Sequence, residues 1–288
     1  MGKLLLVNPG AGAVTDEVQM LLRRSFPDHT YLHFPPDQSV TELLSDQATV
    51  VAAGGDGTIG AVARSLAGTG HSFGILSLGT FNNFARGLDL PLELDEAIEV
   101  IKSGVPRPVT LGRVNGQAFV EAAAIGFFGD ALSFGDAAKS HSLGGMKDRL
   151  DELASRHMFK YRISGDVTRN GRTHSVVAAN TPSIGALLPV GENKTPTEPY
   201  LELDISRGGP WHGLAKLLFH SLRRSDPAPA AKAPTNVRLD LPQDLLFRRI
   251  LIETETPVRV YADLQEIGTT PAVIEALPGG LQVLLPAA

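Results

Sequence analysis

The chain has 288 residues, which suggests about two domains at roughly 150 residues each. Its 26 Lys and Arg residues against 31 Asp and Glu residues give a net charge of -5, which argues against a protein that coats DNA or RNA. The absence of cysteine excludes disulfides, a thiol nucleophile and thiolate-bound zinc or iron–sulfur sites.

The hydropathy of the chain predicts no transmembrane segment, because no run of about 18 uncharged apolar residues occurs. The apolar run over residues 3–7 is too short for the core of a signal peptide. We therefore expect a cytoplasmic protein, and peripheral contact with a membrane stays open.

The first third of the chain alternates short apolar runs with segments of helical spacing. Strands are predicted over 3–7, 30–34, 48–53 and 73–78, and helices over 16–25, 40–44 and 59–66. Strands that alternate with helices predict βαβ units and a mostly parallel sheet.

From about residue 106 the pattern becomes β-rich. Asn115-Gly116 predicts one hairpin, and Asn170-Gly171 predicts another between 161–164 and 174–179. Further strands are predicted over 200–206, 237–241, 248–254, 257–262 and 281–285, and helices over 144–157 and 211–224. The sequence thus predicts an α/β domain over 1–108 and an antiparallel, sandwich-like domain over 109–288, whose last residues are allowed to pack back on the first.

A glycine-rich loop, Gly54-Gly55-Asp56-Gly57-Thr58, stands between a predicted strand and a predicted helix. Glycine permits close approach of a ligand to the backbone, and the start of a helix favours a phosphate. The loop lacks both the Walker A lysine and the dinucleotide-binding fingerprint. A tight turn that binds nothing stays open as the alternative.

Two other glycine-bearing loops follow predicted strands, at residues 8–12 and 78–86. In an open α/β sheet, ligands bind beyond the carboxyl ends of the strands. Three such loops at three strand ends indicate one crevice.

In these segments the chain resembles the diacylglycerol kinase catalytic-domain family, which includes sphingosine and ceramide kinases and soluble bacterial lipid kinases. The matching segments, in chain order, are Asn8-Pro9 with Gly12, Gly54-Gly55-Asp56-Gly57-Thr58, Leu78-Gly79-Thr80 with Asn82, Phe84 and Ala85, Gly126-Phe127, Val260-Tyr261-Ala262-Asp263, Thr270-Pro271 and Pro278-Gly279-Gly280-Leu281. NAD kinases share the Gly-Gly-Asp-Gly loop but not the Leu-Gly-Thr-x-Asn segment.

The resemblance implies a Rossmann-like first domain of the NAD kinase and diacylglycerol kinase type, and a kinase that uses ATP and Mg²⁺ with a lipid substrate at the membrane surface. It implies that Asp263 is the general base that takes the proton of a lipid hydroxyl, and that Asp56 acts on Mg²⁺ bound to ATP. The nucleotide-binding residues that it implies are Asn8, Gly54, Gly55, Asp56, Gly57, Thr58, Ile59, Gly60, Gly79, Thr80 and Asn82. For Asp263, a plain turn between two late strands is the alternative.

The chain departs from the family pattern at three places. One is Glu198-Pro199-Tyr200-Leu201, where many bacterial members have an Asp-Gly that contributes to a structural metal site, so the resemblance does not extend to that metal site. The chain also has Asp263-Leu264-Gln265 where the family usually has Asp-Gly-Glu, and Asn83 where many members have aspartate. Asp130 is a candidate for a replacement carboxylate. These losses keep open a degenerate relative that binds nucleotide or lipid without catalysis, and the shared glycine loop keeps open an NAD kinase-like enzyme.

The segment 211–224 predicts a basic amphipathic helix, which suits anionic lipid. An ordinary helix packed on the β-rich domain is the alternative. Nucleic acid is not an expected partner, and a homodimer is left open.

Overall fold

The computed structural model describes residues 2–44, 48–130, 158–184, 188–189, 195–205, 245–263 and 265–287. Its first part consists of β1 (Lys3–Val7), α1 (Asp16–Ser25), β2 (Thr30–His33), a 3₁₀ helix (Val40–Leu43), β3 (Thr49–Gly54), α2 (Asp56–Ser65), β4 (Ser72–Ser77), α3 (Asn83–Gly87) and α4 (Leu94–Ser103). Strands β2, β1, β3 and β4 pair in that order, all in parallel. The predicted parallel α/β architecture is therefore confirmed, with α3 and α4 in addition to the predicted helices.

The second part is built from antiparallel strands. They are β5 (Val105–Val114), β6 (Gln117–Phe119), β7 (Ala122–Gly126), β8 (Phe159–Gly165), β9 (Arg169–Thr173), β10 (Ser175–Ala179), β11 (Ser183–Ile184), β12 (Leu188–Pro189), β13 (Leu201–Ile205), β14 (Leu246–Phe247), β15 (Arg249–Thr254), β16 (Arg259–Ala262), β17 (Gln265–Thr269) and β18 (Ala272–Leu285). One sheet has the order β14-β13-β10-β7-β16-β17, and β18, β15, β8 and β9 continue the sheet of the first part.

These two sheets share a buried apolar core. Ile163 and Ile250 from the continued sheet pack in the same cluster as Ile125 and Val176 from the six-stranded sheet. Alternate residues of each strand supply this core, as two stacked sheets require. The predicted sandwich-like arrangement is confirmed.

The two predicted hairpins have different outcomes. Asn115 and Gly116 form the turn between β5 and β6, both with positive φ, as an Asn-Gly hairpin turn needs. The hairpin predicted through Asn170-Gly171 is wrong: both residues lie inside β9, which pairs with β8, and β10 belongs to the other sheet. The turn that joins β8 to β9 comes immediately after β8. There the Asp166 carboxylate accepts two backbone N–H groups from a neighbouring segment, which holds the turn in place.

Strand β18 lies between β4 and β5, which are consecutive strands along the chain, separated only by helices. Its register runs antiparallel to β5, with Leu281 opposite Val109, and a bulge separates Leu277 from Leu281. Beyond the bulge Val283 pairs in parallel with Phe73 of β4. One strand therefore joins the parallel sheet to the antiparallel part.

The predicted helices over 144–157 and 211–224 and the predicted strand over 237–241 lie outside the described residues.

Candidate active site

Helix α2 starts within the glycine-rich loop, three residues earlier than the sequence predicts. Gly55 is its N-cap in an extended conformation, so Asp56, Gly57 and Thr58 form the first helical turn. None of the described side chains caps this end of the helix. Uncapped N–H groups at a helix start are an anion-binding arrangement.

The outer side of this first turn is open. Gly57 is exposed, and a Cβ added there would have nothing described within 4 Å. A phosphate has room to approach the backbone at that point.

The glycine-rich loop and the loop after β4 touch through their backbones. A Cβ on Gly79 would lie 2.7 Å from the Gly55 Cα, which is closer than real Cβ contacts. The Asp56 carboxylate spans the same gap: its Oδ2 accepts the N–H of Asn82 at 2.9 Å and its Oδ1 accepts that of Asn83 at 2.8 Å. Asp56 thus fastens the start of α3 to the start of α2.

The second loop is shaped by Asn82, which has the left-handed φ of 55°. Its Oδ1 accepts the Gly79 N–H at 3.0 Å, and its Nδ2 donates to the Gly79 carbonyl at 3.1 Å. Asn82 is buried, whereas Thr80 is exposed at the tip of the loop. Thr80 is therefore accessible from solvent, whereas the Asn82 side chain holds the loop.

The loop over residues 8–12 is tied to the glycine-rich loop by Asn8. Its Nδ2 donates to the Thr58 Oγ1 at 2.8 Å, and its Oδ1 accepts the Gly10 N–H at 3.0 Å. Gly54 leaves room for this contact, because a Cβ there would lie 2.7 Å from the Thr58 Oγ1. Three predicted loops therefore meet at one edge of the sheet. The Ile59 side chain, at 2% exposure, belongs to the core below it.

Asp263 is brought to helix α2 from the end of β16. Its Oδ2 lies 2.6 Å from the Arg64 Nη1, and the side chain is 13% exposed. The Oδ1 accepts the Glu121 N–H at 2.8 Å and the Val120 N–H at 3.1 Å. A Cβ on Gly60 would lie 4.0 Å from the Asp263 Oδ2, so the carboxylate faces the second turn of α2.

The surroundings of Asp263 act on its pKa in opposite directions. Burial raises the pKa and is the dominant cause, while Arg64 and the backbone N–H groups of residues 120–122 lower it. A carboxylate with a raised pKa is a stronger base. Its φ of 53° is one that aspartate tolerates better than most residues.

Asp130 lies away from these bonds. It is 2% exposed, its Oδ1 accepts the Tyr261 hydroxyl at 2.5 Å, and the Arg259 Nη1 is 3.6 Å away. Burial and Asp130 raise the pKa of Tyr261 to about 12. The Asp130 carboxylate therefore has a structural partner inside the second part of the chain.

Two residues at the site are absent from the sequence prediction, Arg64 and Glu121. Arg64 carries a weak signal, since it lies one turn after Gly60 on the helix that the glycine-rich loop starts. Glu121 carries no local signal, because its partners Asp263 and Asn83 are 142 and 38 residues away in the chain.

No group of three or more His, Asp or Glu side chains is placed to hold a metal ion in the part of the chain that the structure describes. Mg²⁺ in kinases is commonly bound through one or two carboxylates together with substrate phosphates and water. The Asp56 oxygens each accept one N–H bond, and a carboxylate oxygen has a second lone pair. The donor set therefore fits a cation that arrives with the nucleotide.

Within the described ranges, no helix has the length and apolar character needed to cross a bilayer.

Comparison with known families agrees with this geometry. Residues 3–114 match the model of the diacylglycerol kinase catalytic domain. The resemblance drawn from the motifs is thereby confirmed for this part of the chain.

Relatives and solved structures extend the comparison. An uncharacterised protein of Synechocystis is 25% identical over 82% of this chain and 54% of its own length. A probable lipid kinase, YegS-like, of Pseudomonas aeruginosa is 47% identical over 30% of this chain and 28% of its own length. This chain thus spans about half or less of the curated relatives that it matches.

A crystal structure of a diacylglycerol kinase from Bacillus anthracis is 23% identical with a TM-score of 0.69, and the match covers 99% of this chain and 96% of that one. This likeness confirms the predicted fold over both parts of the chain.

Proposed function

We propose that this chain, whose residues 3–114 match the diacylglycerol kinase catalytic domain, transfers the γ-phosphoryl group of ATP to the hydroxyl of a lipid such as diacylglycerol. The nucleotide would bind the three loops around the start of α2. The lipid would enter from the β-rich part, whose strand β16 ends at Ala262, immediately before Asp263.

The observation that carries this proposal is the Arg64–Asp263 ion pair. It joins residues 199 positions apart and places the predicted general base against the helix that starts in the predicted phosphate loop. From Asp56 to Gly60 the helix rises by about 6 Å, at 1.5 Å per residue. A base and a phosphate site one helical turn apart suit transfer from a bound nucleotide to a hydroxyl.

The nucleotide site fits phosphates through its backbone. The first turn of α2 offers uncapped N–H groups, and Gly57 leaves open space beside them. When bound, Mg²⁺ would neutralise charge on the transferring phosphoryl group, and Asp56 is the carboxylate proposed to contact it.

The proposed role of Asp263 is to remove the proton of the lipid hydroxyl. The carboxylate would accept the proton of the lipid hydroxyl while the hydroxyl oxygen bonds to the γ-phosphorus and the bond from phosphorus to the β,γ-bridging oxygen breaks. The products are a phosphorylated lipid and ADP. Arg64 and the backbone N–H groups of Val120 and Glu121 hold the carboxylate in one orientation.

The experiment that tests the proposal is phosphate transfer from labelled ATP with Mg²⁺ to a panel of acceptors. Mixed micelles would present diacylglycerol, monoacylglycerol, phosphatidylglycerol, sphingosine and ceramide, and NAD would be offered in parallel. We expect label in one lipid class and none in NAD.

Other outcomes would replace the proposal. Label in NAD alone would identify an NAD kinase-like enzyme. ATP binding without transfer to any acceptor would favour a degenerate, non-catalytic relative, the alternative suggested by the changes at Asn83, Leu264 and Gln265.

A substitution at Gly57 tests the nucleotide site separately from catalysis. Gly57→Ala should leave stability unchanged or raise it by up to about 1 kcal/mol, because alanine favours a helix. The added methyl group would occupy the space that a phosphate needs, so we expect the Kd for ATP to rise about tenfold. Calorimetric titration and a melting curve measure the two effects.

Gly2→Ala is the matched control, because a Cβ there also meets nothing described within 4 Å and the residue lies outside the loops. Unchanged ATP affinity in Gly57→Ala would show that no phosphate approaches this turn.

A further inference from the structure

Asn83 lies at the centre of a polar chain at the start of α3. It is 1% exposed, and its N–H donates to Asp56. Its Nδ2 donates to the Glu121 Oε2 at 3.2 Å, and its Oδ1 accepts the Ser183 hydroxyl at 3.0 Å. The carboxamide therefore uses both of its ends, one as donor and one as acceptor.

The donor end explains why an acid at position 83 would not suit this chain. A carboxylate there has no N–H to give to Glu121, and two carboxylates about 3 Å apart do not both ionise readily. The contact therefore pairs the Asn83 amide with the Glu121 carboxylate, and Glu121 carries the negative charge.

Glu121 is also joined to the predicted base. Its N–H donates to the Asp263 Oδ1 at 2.8 Å, and its carbonyl accepts the Asn180 N–H at 2.7 Å. The backbone of Glu121 is thus fixed at the start of β7, while the residue as a whole is partly exposed. Glu121 stands between the Asp56–Asn83 contact and Asp263.

We propose that Glu121 is a positioning residue that supplies, from across the Asn83 hydrogen bond, the negative charge that the Asn82-Asn83-Phe84 segment lacks. The inference rests on the proposed function. The charge lies one hydrogen bond beyond Asn83, which itself contacts Asp56, and the β6–β7 connection carries it instead of α3. There it would orient Asn83 and favour the cation that accompanies the nucleotide phosphates.

The test exchanges the two side chains. Glu121→Gln removes the charge, Asn83→Asp adds a second acid, and the double variant Asn83→Asp/Glu121→Gln returns the charge to α3 with the hydrogen bond reversed. We expect about a tenfold loss of lipid phosphorylation in each single variant and recovery to within about threefold of the native rate in the double variant, as for directly coupled residues.

A binding measurement accompanies the rates. The rise in melting temperature produced by ADP is recorded with and without MgCl₂ for each variant. We expect Glu121→Gln to lose most of the Mg²⁺-dependent part of this rise and the double variant to regain it. A merely structural role for Glu121 would not give recovery specific to Mg²⁺.

Glu255→Gln is the matched control, because Glu255 forms an exposed ion pair with Lys160 in the β-rich part. It should match the native chain in both measurements. Native rates and a native Mg²⁺ response in Glu121→Gln would overturn the inference, as would a double variant no better than the worse single variant.

The two proposals fail separately. If the native chain phosphorylates no lipid while the exchange still governs the Mg²⁺-dependent response to ADP, the lipid kinase activity is wrong and the role of Glu121 stands. If the lipid is phosphorylated and the exchange has no effect, the reverse holds.

Discussion

Asp263→Asn should lower kcat for lipid phosphorylation by about 10²–10⁴-fold, the usual contribution of a general base. Asparagine keeps the size of the side chain and tolerates the positive φ, so ATP affinity should change little. Initial rates with saturating lipid and ATP, beside a titration of ATP binding, measure the two quantities.

The same variant should change the dependence of activity on pH. Only the ionised carboxylate accepts a proton, so activity falls as pH falls through the pKa of Asp263. Because burial raises this pKa, the acid limb of kcat/KM should lie above the range of an ordinary aspartate. The limb should disappear from the residual activity of Asp263→Asn.

Stability follows the same titration with a definite sign. A carboxyl group whose pKa is raised by folding stabilises the folded state fully below its ordinary pKa. This contribution is lost as pH rises through the raised value.

Two further variants serve as controls for the Asp263→Asn measurement. Asp263→Asn leaves the Arg64 guanidinium without its acid, so Asp263→Asn/Arg64→Met removes both charges and must be equally inactive while folded. Asp166→Asn changes another carboxylate that accepts two backbone N–H groups, and it should be fully active. Native turnover in Asp263→Asn would exclude Asp263 as the base.

Asp56→Asn should destabilise the chain and weaken ATP binding together. The amide has one acceptor where the carboxylate has two, so one N–H of the pair at Asn82 and Asn83 loses its partner. We expect a loss of about 1–3 kcal/mol in the free energy of unfolding and a melting temperature lower by roughly 2–10 °C. Saturating ATP should recover less stability than in the native chain.

Asp16→Asn makes the same change in the first turn of α1, where the side chain is exposed. It should stay within about 0.5 kcal/mol of the native stability, as surface substitutions do. An Asp56→Asn variant that melts and binds ATP like the native chain would show that the contact between the two loops is dispensable.

The motifs predict the positions of the loops correctly because each motif consists of residues that are close together in the chain. Gly54 ends one strand and Gly79 follows another, the apolar runs of both strands are evident in the sequence, and parallel strands end at one edge of a sheet. That Gly55 and Gly79 touch follows from strand order, which the sequence pattern alone does not fix.

The remaining features depend on residues that are distant in the chain. The sequence predicts that Asp56 is an acidic residue of a loop. In the structure it is the first residue of α2, since the helix begins immediately after Gly55. The Asn170-Gly171 signal fails because pairing with β8 fixes these residues inside β9. No spacing rule relates Glu121 to Asn83, since their contact exists only after β7 has paired in its sheet.

The position of strand β18 affects the order in which the sheet can form during synthesis of the chain. The parallel sheet cannot acquire its β4–β18–β5 order until β18 has left the ribosome, well after β4 has been made. At about 5–20 residues per second, the roughly 200 residues between these strands take about 10–40 s to synthesise. During that interval the Ser72–Phe73 edge of β4 lacks its native neighbour, and an unpaired apolar edge invites pairing with other chains. The sheet that contains β1 to β4 is therefore completed only after β18, which lies much later in the chain, has been synthesised.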